Sequence, residues 1–567
     1  MRKKPRPSLV IDLVFASLLV TLFCKPARSE PQPVLAGVVT SESNGPMEGV
    51  LVRAKQLGGN ITVTVVTDDH GRYVFPAGRL APGRYSLTIR AIGYDLVNSA
   101  TSVTVGKKTT NADLKLSKLD ALATAAQLQP AEWLMSIPGM PSQKNAIYGC
   151  AGTCHNLNLP LKSTYDSSGW MTTLVRMRNW EPASNVDNPI LLPYHTGQRP
   201  EDEKFAQYLA SINLSSRTTL DFEWKTYPRP TGKASRVFIT EYDLPRLNAE
   251  PHDVVMDSEG MIWYIDFAEA FLGRLDPHTG KTKEWTLTEF KPGFAPGSLG
   301  LALDQQENLW IARSFQGGIA KFDRRTEKIT NYSIPAENNN VHSRTSFIAV
   351  GPDGKVWFDD TFNRRMYIVN PTTGQMKGYS LYPGFKWDLE NDPGASQGNG
   401  ENHFPYGVAV SSTGIGYWAD LGNRNIGELD PETGKTTLYP TPTPASAPRR
   451  MNMGPEDQLW FAENNLSSRK IAMFDTKTKQ FKEWADPLVW DTPYDVVCDK
   501  AGYAWTGGIP TDYVSRLNPK TGEIVQYLLP SLAVNIRRVS IDNLTSPPSM
   551  LIGENHQAKI ALIQPLE

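Results

Sequence analysis

Two groups of side chains in this sequence have types and spacing suited to chemistry. The first is Cys150-Ala-Gly-Thr-Cys154-His155, which sets two thiols and an imidazole within a short stretch. Such a cluster suits covalent attachment of a c-type haem, with the adjacent histidine ligating iron. It equally suits a Cys150–Cys154 disulfide in an oxidising compartment. Two cysteines and one histidine fall one ligand short of a closed zinc site. The spacer between the thiols holds Ala151, Gly152 and Thr153, one residue more than the usual haem-attachment motif.

The second group lies in the C-terminal half. Glu250-Pro-His252 stands upstream of Asp266, and His252 precedes that acid by 14 positions. The same step back from Asp360, Asp420, Glu463 and Gly508 reaches Ser346, Tyr406, Arg449 and Tyr494. These positions are comparable because the chain repeats a phrase. Asp257-Ser-Glu-Gly-Met-Ile-Trp263 returns as Gly351-Pro-Asp-Gly-Lys-Val-Trp357 and as Gly454-Pro-Glu-Asp-Gln-Leu-Trp460. A second phrase follows each, such as Leu272-Gly-Arg-Leu-Asp276-Pro or Ile426-Gly-Glu-Leu-Asp430-Pro. Turn-and-strand units at this period are the signature of β-propeller blades. The tryptophan position falls at Trp263, Trp310, Trp357, Tyr417, Trp460, Trp505 and Leu551, so residues 236–567 are expected to form a seven-bladed β-propeller. Val237-Phe-Ile-Thr-Glu-Tyr-Asp-Leu-Pro245 has the pattern of the outer strand that the last blade lacks, and is expected to pair with that blade and close the ring.

A propeller gathers one equivalent position per blade at the mouth of its channel. His252, Tyr406, Arg449 and Tyr494 are therefore expected to ring one space. The acid position reads Asp266, Arg313, Asp360, Asp420, Glu463, Gly508 and Glu554, which adds carboxylates to that space. Histidine beside them is a general base near neutral pH. Crowded carboxylates raise one another's pKa or recruit a cation, and oxygen-rich sites favour Mg²⁺ or Ca²⁺. Glu250, Asp266, Asp420 and Glu463 are the candidate ligands. The plainer alternative is that each acid hydrogen-bonds a neighbouring loop.

Other elements frame these groups. Residues 33–117 alternate apolar and polar at strand period, with turns such as Asp68-Asp-His-Gly71 and Ala81-Pro-Gly83, and read as a small β-sandwich. Residues 118–232 turn to helical spacing, in Leu119–Leu128, Trp170–Met177 and Glu203–Ile212. The fold class is mainly β: sandwich, small helical segment, propeller. Residues 1–29 read as an export signal, with Arg2, Lys3, Lys4 and Arg6 before the apolar run Leu9–Cys24 and a small-x-small site at Ala27-Arg28-Ser29. An uncleaved anchor is the alternative, but the run is short for a span and contains Asp12. The expected location is periplasmic or secreted, with no integral membrane domain. Net charge is −1, which argues against nucleic acid. Cys150, Cys154 and Cys498 are too few for a disulfide framework.

Three resemblances follow from these pieces. Residues 33–117, with Gly37-Val-Val-Thr, Thr67-Asp-Asp-His-Gly-Arg-Tyr, Pro82-Gly-Arg-Tyr and Ala91-Ile-Gly-Tyr94, resemble the carboxypeptidase regulatory-like domain, which implies a structural or docking role or glycan binding. Residues 118–232, with Cys154-His-Asn-Leu, Gly169-Trp-x4-Val-Arg-Met177 and Tyr208-Leu-Ala, resemble the small cytochrome c domains joined to propellers in exported bacterial proteins. That resemblance implies haem c on Cys150 and Cys154, with His155 proximal and Met177 distal, Met171 and His195 being weaker distal candidates. The blade phrases, with Pro251-His-Asp-Val, Trp460-Phe-Ala-Glu and Asn423-Arg-Asn-Ile-Gly427, resemble the streptogramin lyase family. It implies Mg²⁺-dependent β-elimination, with His252 as base, Glu250 and Asp266 toward the metal, and Tyr406 and Arg449 positioning substrate. In the family a glutamate stands where Asp266 does here, and the phrase lies in a late blade rather than the first.

Three functions compete: a metal-dependent lyase, a haem-linked protein with a redox partner, and a recognition protein that binds a small molecule, peptide or glycan without catalysis. β-Elimination moves no net electrons, so a haem beside the propeller favours redox-coupled or binding work.

Overall fold

The computed structural model describes Met1 and residues 33–98, 101–151, 155–181, 189–192, 197–215, 217–383 and 403–567. The expected signal, Cys154, His195 and the side chain of Cys150 lie outside the described residues.

Alternation builds the N-terminal sandwich. In strand Arg72–Pro76 the side chains of Tyr73 and Phe75 turn inward while those of Arg72 and Val74 face solvent. They join Leu35, Val39, Val52, Leu87, Leu114 and Leu116 in one core between two sheets. Strand Leu51–Gln56 lies between Ile61–Val66 and Gly83–Arg90.

The ring that follows consists of four-stranded antiparallel sheets. Six run in simple chain order, from Pro251–Met256 through Thr282–Thr286 to Pro493–Cys498 through Ile524–Leu528. Innermost strands pack on one another in succession, and Ile536–Asp542 packs back on Pro251–Met256, so the array closes. The spacing between turn acid and tryptophan has a physical cause. Asp257, Asp304 and Asp499 accept the indole N–H of Trp263, Trp310 and Trp505 at 2.8, 2.9 and 2.8 Å, which satisfies the buried donor and ties hairpin turn to strand.

The last unit is built from both ends of the chain segment. Val237–Asp243 pairs antiparallel with Lys559–Pro565, from Val237↔Pro565 to Asp243↔Lys559. The other edge of Val237–Asp243 is not left open. It pairs with Ile61–Val66 of the sandwich, Ile239↔Thr64 and Tyr242↔Ile61. One eight-stranded sheet thus runs from the sandwich into the ring. Arg53 to Glu241 at 3.0 Å and Arg79 over Phe238 at 4.4 Å fix the seam. Continuation removes two exposed edges at once.

Between these parts lie helices Pro130–Ser136, Pro141–Ala151, Ser167–Met177 and Asp202–Ser211 around Trp133, Leu134, Trp170, Leu174 and Leu209. The helix expected over Leu119–Leu128 is shorter. It covers Ala121–Thr124, passes into a tighter turn, and stops before Pro130, which starts the next helix with Glu132 closing a capping box on Gln129.

Candidate functional site at the mouth of the ring

In five units the inner strand begins at the mouth, and the residue after its first, His252, Tyr406, Arg449, Tyr494 or Arg537, contributes one side chain there. His252 is buried, and its Nδ1 lies 2.9 Å from Asp253 Oδ1. Asp253 also accepts from the Leu301 N–H of the neighbouring unit and takes a two-pronged bond from Arg450 across the ring, at 2.7 and 2.6 Å. Arg538 adds a contact at 3.3 Å. These guanidiniums hold the Asp253 carboxylate ionised, well below the usual range. Burial lowers His252 to about 4, so the imidazole is neutral at neutral pH with Nδ1–H toward Asp253 and Nε2 as acceptor.

The phenols meet. Tyr406 and Tyr494 hydroxyls are 2.6 Å apart, and the His252 ring lies 6.2 Å from that of Tyr494. The Arg449 guanidinium lies 4.3 Å from the Tyr494 ring centre and 5.1 Å from that of Tyr406, and donates to Asn464 at 2.7 Å. Arg537 approaches Tyr494 at 5.4 Å. Although burial opposes it, the Arg449 and Arg344 charges draw the Tyr406 phenol below its ordinary value, while Tyr494 rises. Ser346 is turned to local work instead, its hydroxyl 2.7 Å from Thr361 Oγ1.

The acids do not join this cluster, which corrects the expectation of a shared carboxylate pit. Asp266 pairs with Arg246 at 2.7 Å and accepts the N–H groups of Ala268 and Glu269, both at 2.9 Å. Asp360 accepts from Arg344 N–H at 3.0 Å and from Asn363 at 2.8 Å. Asp420 accepts from Phe404 N–H at 2.9 Å and lies 2.6 Å from His403 Nδ1. Glu463 is buried and raised to about 8 by desolvation and the nearby Glu483. Glu250 is buried, and its own N–H reaches Asp266 at 3.4 Å. Asp266, Asp360 and Asp420 each clamp the entry of their own unit. Among the described residues only Asp68, Asp69 and His70, exposed on the sandwich, bring three metal-type ligand atoms within 4.8 Å. Glu250, Asp266, Asp420 and Glu463 therefore do not fit a common Mg²⁺ or Ca²⁺.

The helical segment lies across the mouth. Tyr148, in helix Pro141–Ala151, has its hydroxyl 2.5 Å from Thr492 Oγ1, two residues before Tyr494. Glu181 pairs with Arg344 at 2.6 Å. Ile190 and Leu192 pack on Phe267, Ala268, Leu299 and Phe315. Asp512 N–H donates to Gln129 Oε1 at 2.6 Å, and Ala131 N–H to the Pro510 carbonyl at 2.9 Å.

Of the haem candidates, Cys150 lies near the end of helix Pro141–Ala151 and Met177 ends helix Ser167–Met177. Met171 packs on the helical core. His155 Nδ1 is 3.1 Å from the Asn156 carbonyl, while Nε2 is buried with no hydrogen-bond partner among the described residues. Burial depresses its basicity. A neutral imidazole anchored at Nδ1, with Nε2 unused, has the form of an iron ligand.

Sequence reasoning missed Arg537. The turn between Ile536–Asp542 and Ser549–Glu554 is longer than its counterparts, so the fixed step back from Glu554 lands on Ser540, whereas Ile536 pairs with Glu554 as Pro251 does with Asp266. Asp253 was legible in Pro-His-Asp, and the Arg449-Arg450 and Arg537-Arg538 doublets were the available signal for the charged layer beneath. Nothing in the sequence marked Tyr148 or Glu181.

Comparison with known proteins adds to this geometry. Residues 34–117 match the carboxypeptidase regulatory-like domain. No curated protein matches the chain in sequence. A solved streptogramin B lyase is 19% identical with a TM-score of 0.50, over 59% of this chain and 99% of that one. The virginiamycin B lyase of Staphylococcus aureus is 19% identical with a TM-score of 0.48, over 57% of this chain and 98% of that one. The extracellular domain of a one-component system from B. thetaiotaomicron is 16% identical with a TM-score of 0.41, over 55% and 40%. The streptogramin B lyase likeness establishes the β-propeller fold and leaves chemistry to the site. Among the described residues no helix is long and apolar enough to cross a membrane.

Proposed function

We propose that this chain is an exported protein whose seven-bladed propeller binds or transforms a small molecule or peptide at its mouth, next to a c-type haem on Cys150, Cys154 and His155. Export is supported by the basic start, apolar run and small-x-small site of residues 1–29. The observation that carries the coupling is Tyr148, two residues before Cys150, whose hydroxyl touches Thr492 in the wall of the mouth. Tyr148, just ahead of the attachment motif in sequence, thus lies beside the ring of Tyr406, Tyr494 and Arg449.

His155 would ligate iron through Nε2, with Met177 as the distal candidate, and the haem when bound supplies one-electron transfer. The chain's own residues do the rest. His252, kept neutral and oriented by Asp253, accepts a proton from a bound molecule at Nε2. Tyr406 and Tyr494 hold or pass a proton through their shared hydrogen bond. Arg449 faces negative charge that develops on the ligand. Ile190 and Leu192 exclude water from the rim. Metal-assisted elimination is not favoured, because Asp266 and Asp420 are committed to Arg246 and His403.

Expression in a host with haem-attachment machinery tests this reading. A Soret band that survives denaturation, lost in Cys154→Ser, is the expected result. A colourless protein with a Cys150–Cys154 disulfide would overturn it.

A further inference from the structure

Burial leaves His252 a weak base. Lowered to about 4, its imidazole does not keep a proton at neutral pH, so a proton taken from a ligand needs a further acceptor. The phenols beside it have the geometry for one. Tyr406 and Tyr494 are 4% and 1% exposed, and their oxygens lie 2.6 Å apart. They start neighbouring strands on either side of Pro448–Met453, which brings Arg449 between them. Its guanidinium lies 5.1 Å from one ring centre and 4.3 Å from the other.

The other charged groups around the pair have partners. Arg344 meets Glu181 at 2.6 Å, and Asp253 is taken by Arg450 and Arg538. Arg537 lies against the Tyr494 ring at 5.4 Å, and Tyr148 reaches Thr492 from the helical segment. Arg449 donates to the neutral amide of Asn464, and among the described residues no carboxylate contacts it. Burial opposes the Arg449 charge, and Tyr406, Tyr494 and Tyr148 sustain it. A buried guanidinium calls for a negative partner, and the phenol oxygens are the acidic atoms beside this one. Two phenols in one short hydrogen bond ionise as a pair. The bond and the cation ease the first loss of a proton, and the charge so formed opposes the second. The opposite directions of Tyr406 and Tyr494 agree with this.

We propose that Tyr406 and Tyr494 hold one proton between their two oxygens, so that the mouth keeps a resident phenolate beside Arg449 as its standing proton acceptor. Its use on a ligand rests on reading the mouth as a binding site; the shared charge does not. In that use the ligand's acidic proton passes to the phenol oxygens, and both phenols become neutral. The electron pair of the broken bond stays on the ligand. Negative charge thus moves from phenol to ligand while Arg449 stays in place to face it, and the net charge of the site is unchanged.

Ultraviolet difference titration of full-length protein tests the proposal. Each protein is read against its own Tyr406→Phe counterpart, so that haem and the other tyrosines cancel. Wild type should show one tyrosinate per chain with a midpoint about one unit or more below the ordinary phenol value of about 10. Arg449→Met should raise the proton affinity of the pair about tenfold or more. Tyr494→Phe, which keeps the cation and removes the shared hydrogen bond, should also raise the midpoint. A tyrosinate that forms in wild type only at about 10 or above would overturn the proposal. So would a low midpoint that stays in place in either variant. If Arg449→Met does not fold, Tyr494→Phe decides alone. The haem spectrum is read separately. A Soret band without the low tyrosinate midpoint sinks this proposal alone, and that midpoint without a Soret band sinks only the haem assignment.

Discussion

The inner-strand position of His252, Tyr406, Arg449 and Tyr494 meets its counterparts across the mouth. The second-strand position, in Asp266, Asp360 and Asp420, serves the entry of its own unit. Both recur once per unit, so sequence register alone treats them alike. Direction separates them. The second-strand residue sits opposite the start of its own inner strand, Pro251↔Asp266, Pro405↔Asp420 and Pro448↔Glu463, and at Asp266 and Asp420 it accepts loop N–H groups. The exceptions follow the same logic. Arg313 donates to the carbonyls of Thr288 and Pro296 at 2.9 and 3.0 Å. Gly508 leaves room for Asp491, whose carboxylate would lie 1.5 Å from a Cβ at that position and which accepts from Thr511 at 2.7 Å. An equivalent position in a repeat therefore keeps a task, not a chemistry.

Breaking the charged layer under the mouth should have the largest effect. Asp253→Ala strands buried Arg450 and is expected to cost roughly 3–5 kcal/mol in a urea titration. A loss below about 1 kcal/mol would show that the layer is not needed. Asp266→Ala should cost about 2 kcal/mol by removing a buried acceptor of two N–H groups. Tyr406→Phe should cost only about 1 kcal/mol in the same titration, by removing its hydrogen bond to Tyr494.

The two positions should also titrate in opposite senses. His252 is lowered from 6.5 to about 4, so the unfolded chain binds more protons between these values and stability falls as pH drops through that window. Glu463 is raised from 4.5 to about 8, so the folded protein binds more protons and stability falls as pH rises through that window. His252→Gln should flatten the acid side of the melting profile, and Glu463→Gln the side rising from pH 4.5 to 8. Reversed slopes would contradict the assigned environments.

Much of the architecture was legible. The sandwich read as residues 33–117 coincides with the matched 34–117. The strand from Val237 pairs with the final strand as its pattern implied. Its second partnership, with Ile61–Val66, was not legible, because alternating apolar residues mark a strand without naming its neighbour. At the site, His252, Tyr406, Arg449 and Tyr494 were found by counting, since their units share turn lengths. Arg537 was lost to a longer turn. Tyr148 and Glu181 were hidden because a helical segment carries no repeat register to place it over the ring.

The account depends on that segment sealing the mouth, and a double-mutant cycle on Tyr148→Phe and Thr492→Val tests it most directly. If the two hydroxyls bond as placed, each single variant loses about 1 kcal/mol and the double variant loses no more than either. Fully additive losses would mean that Tyr148 does not reach the ring, and would separate the Cys150–His155 motif from the mouth it is proposed to serve.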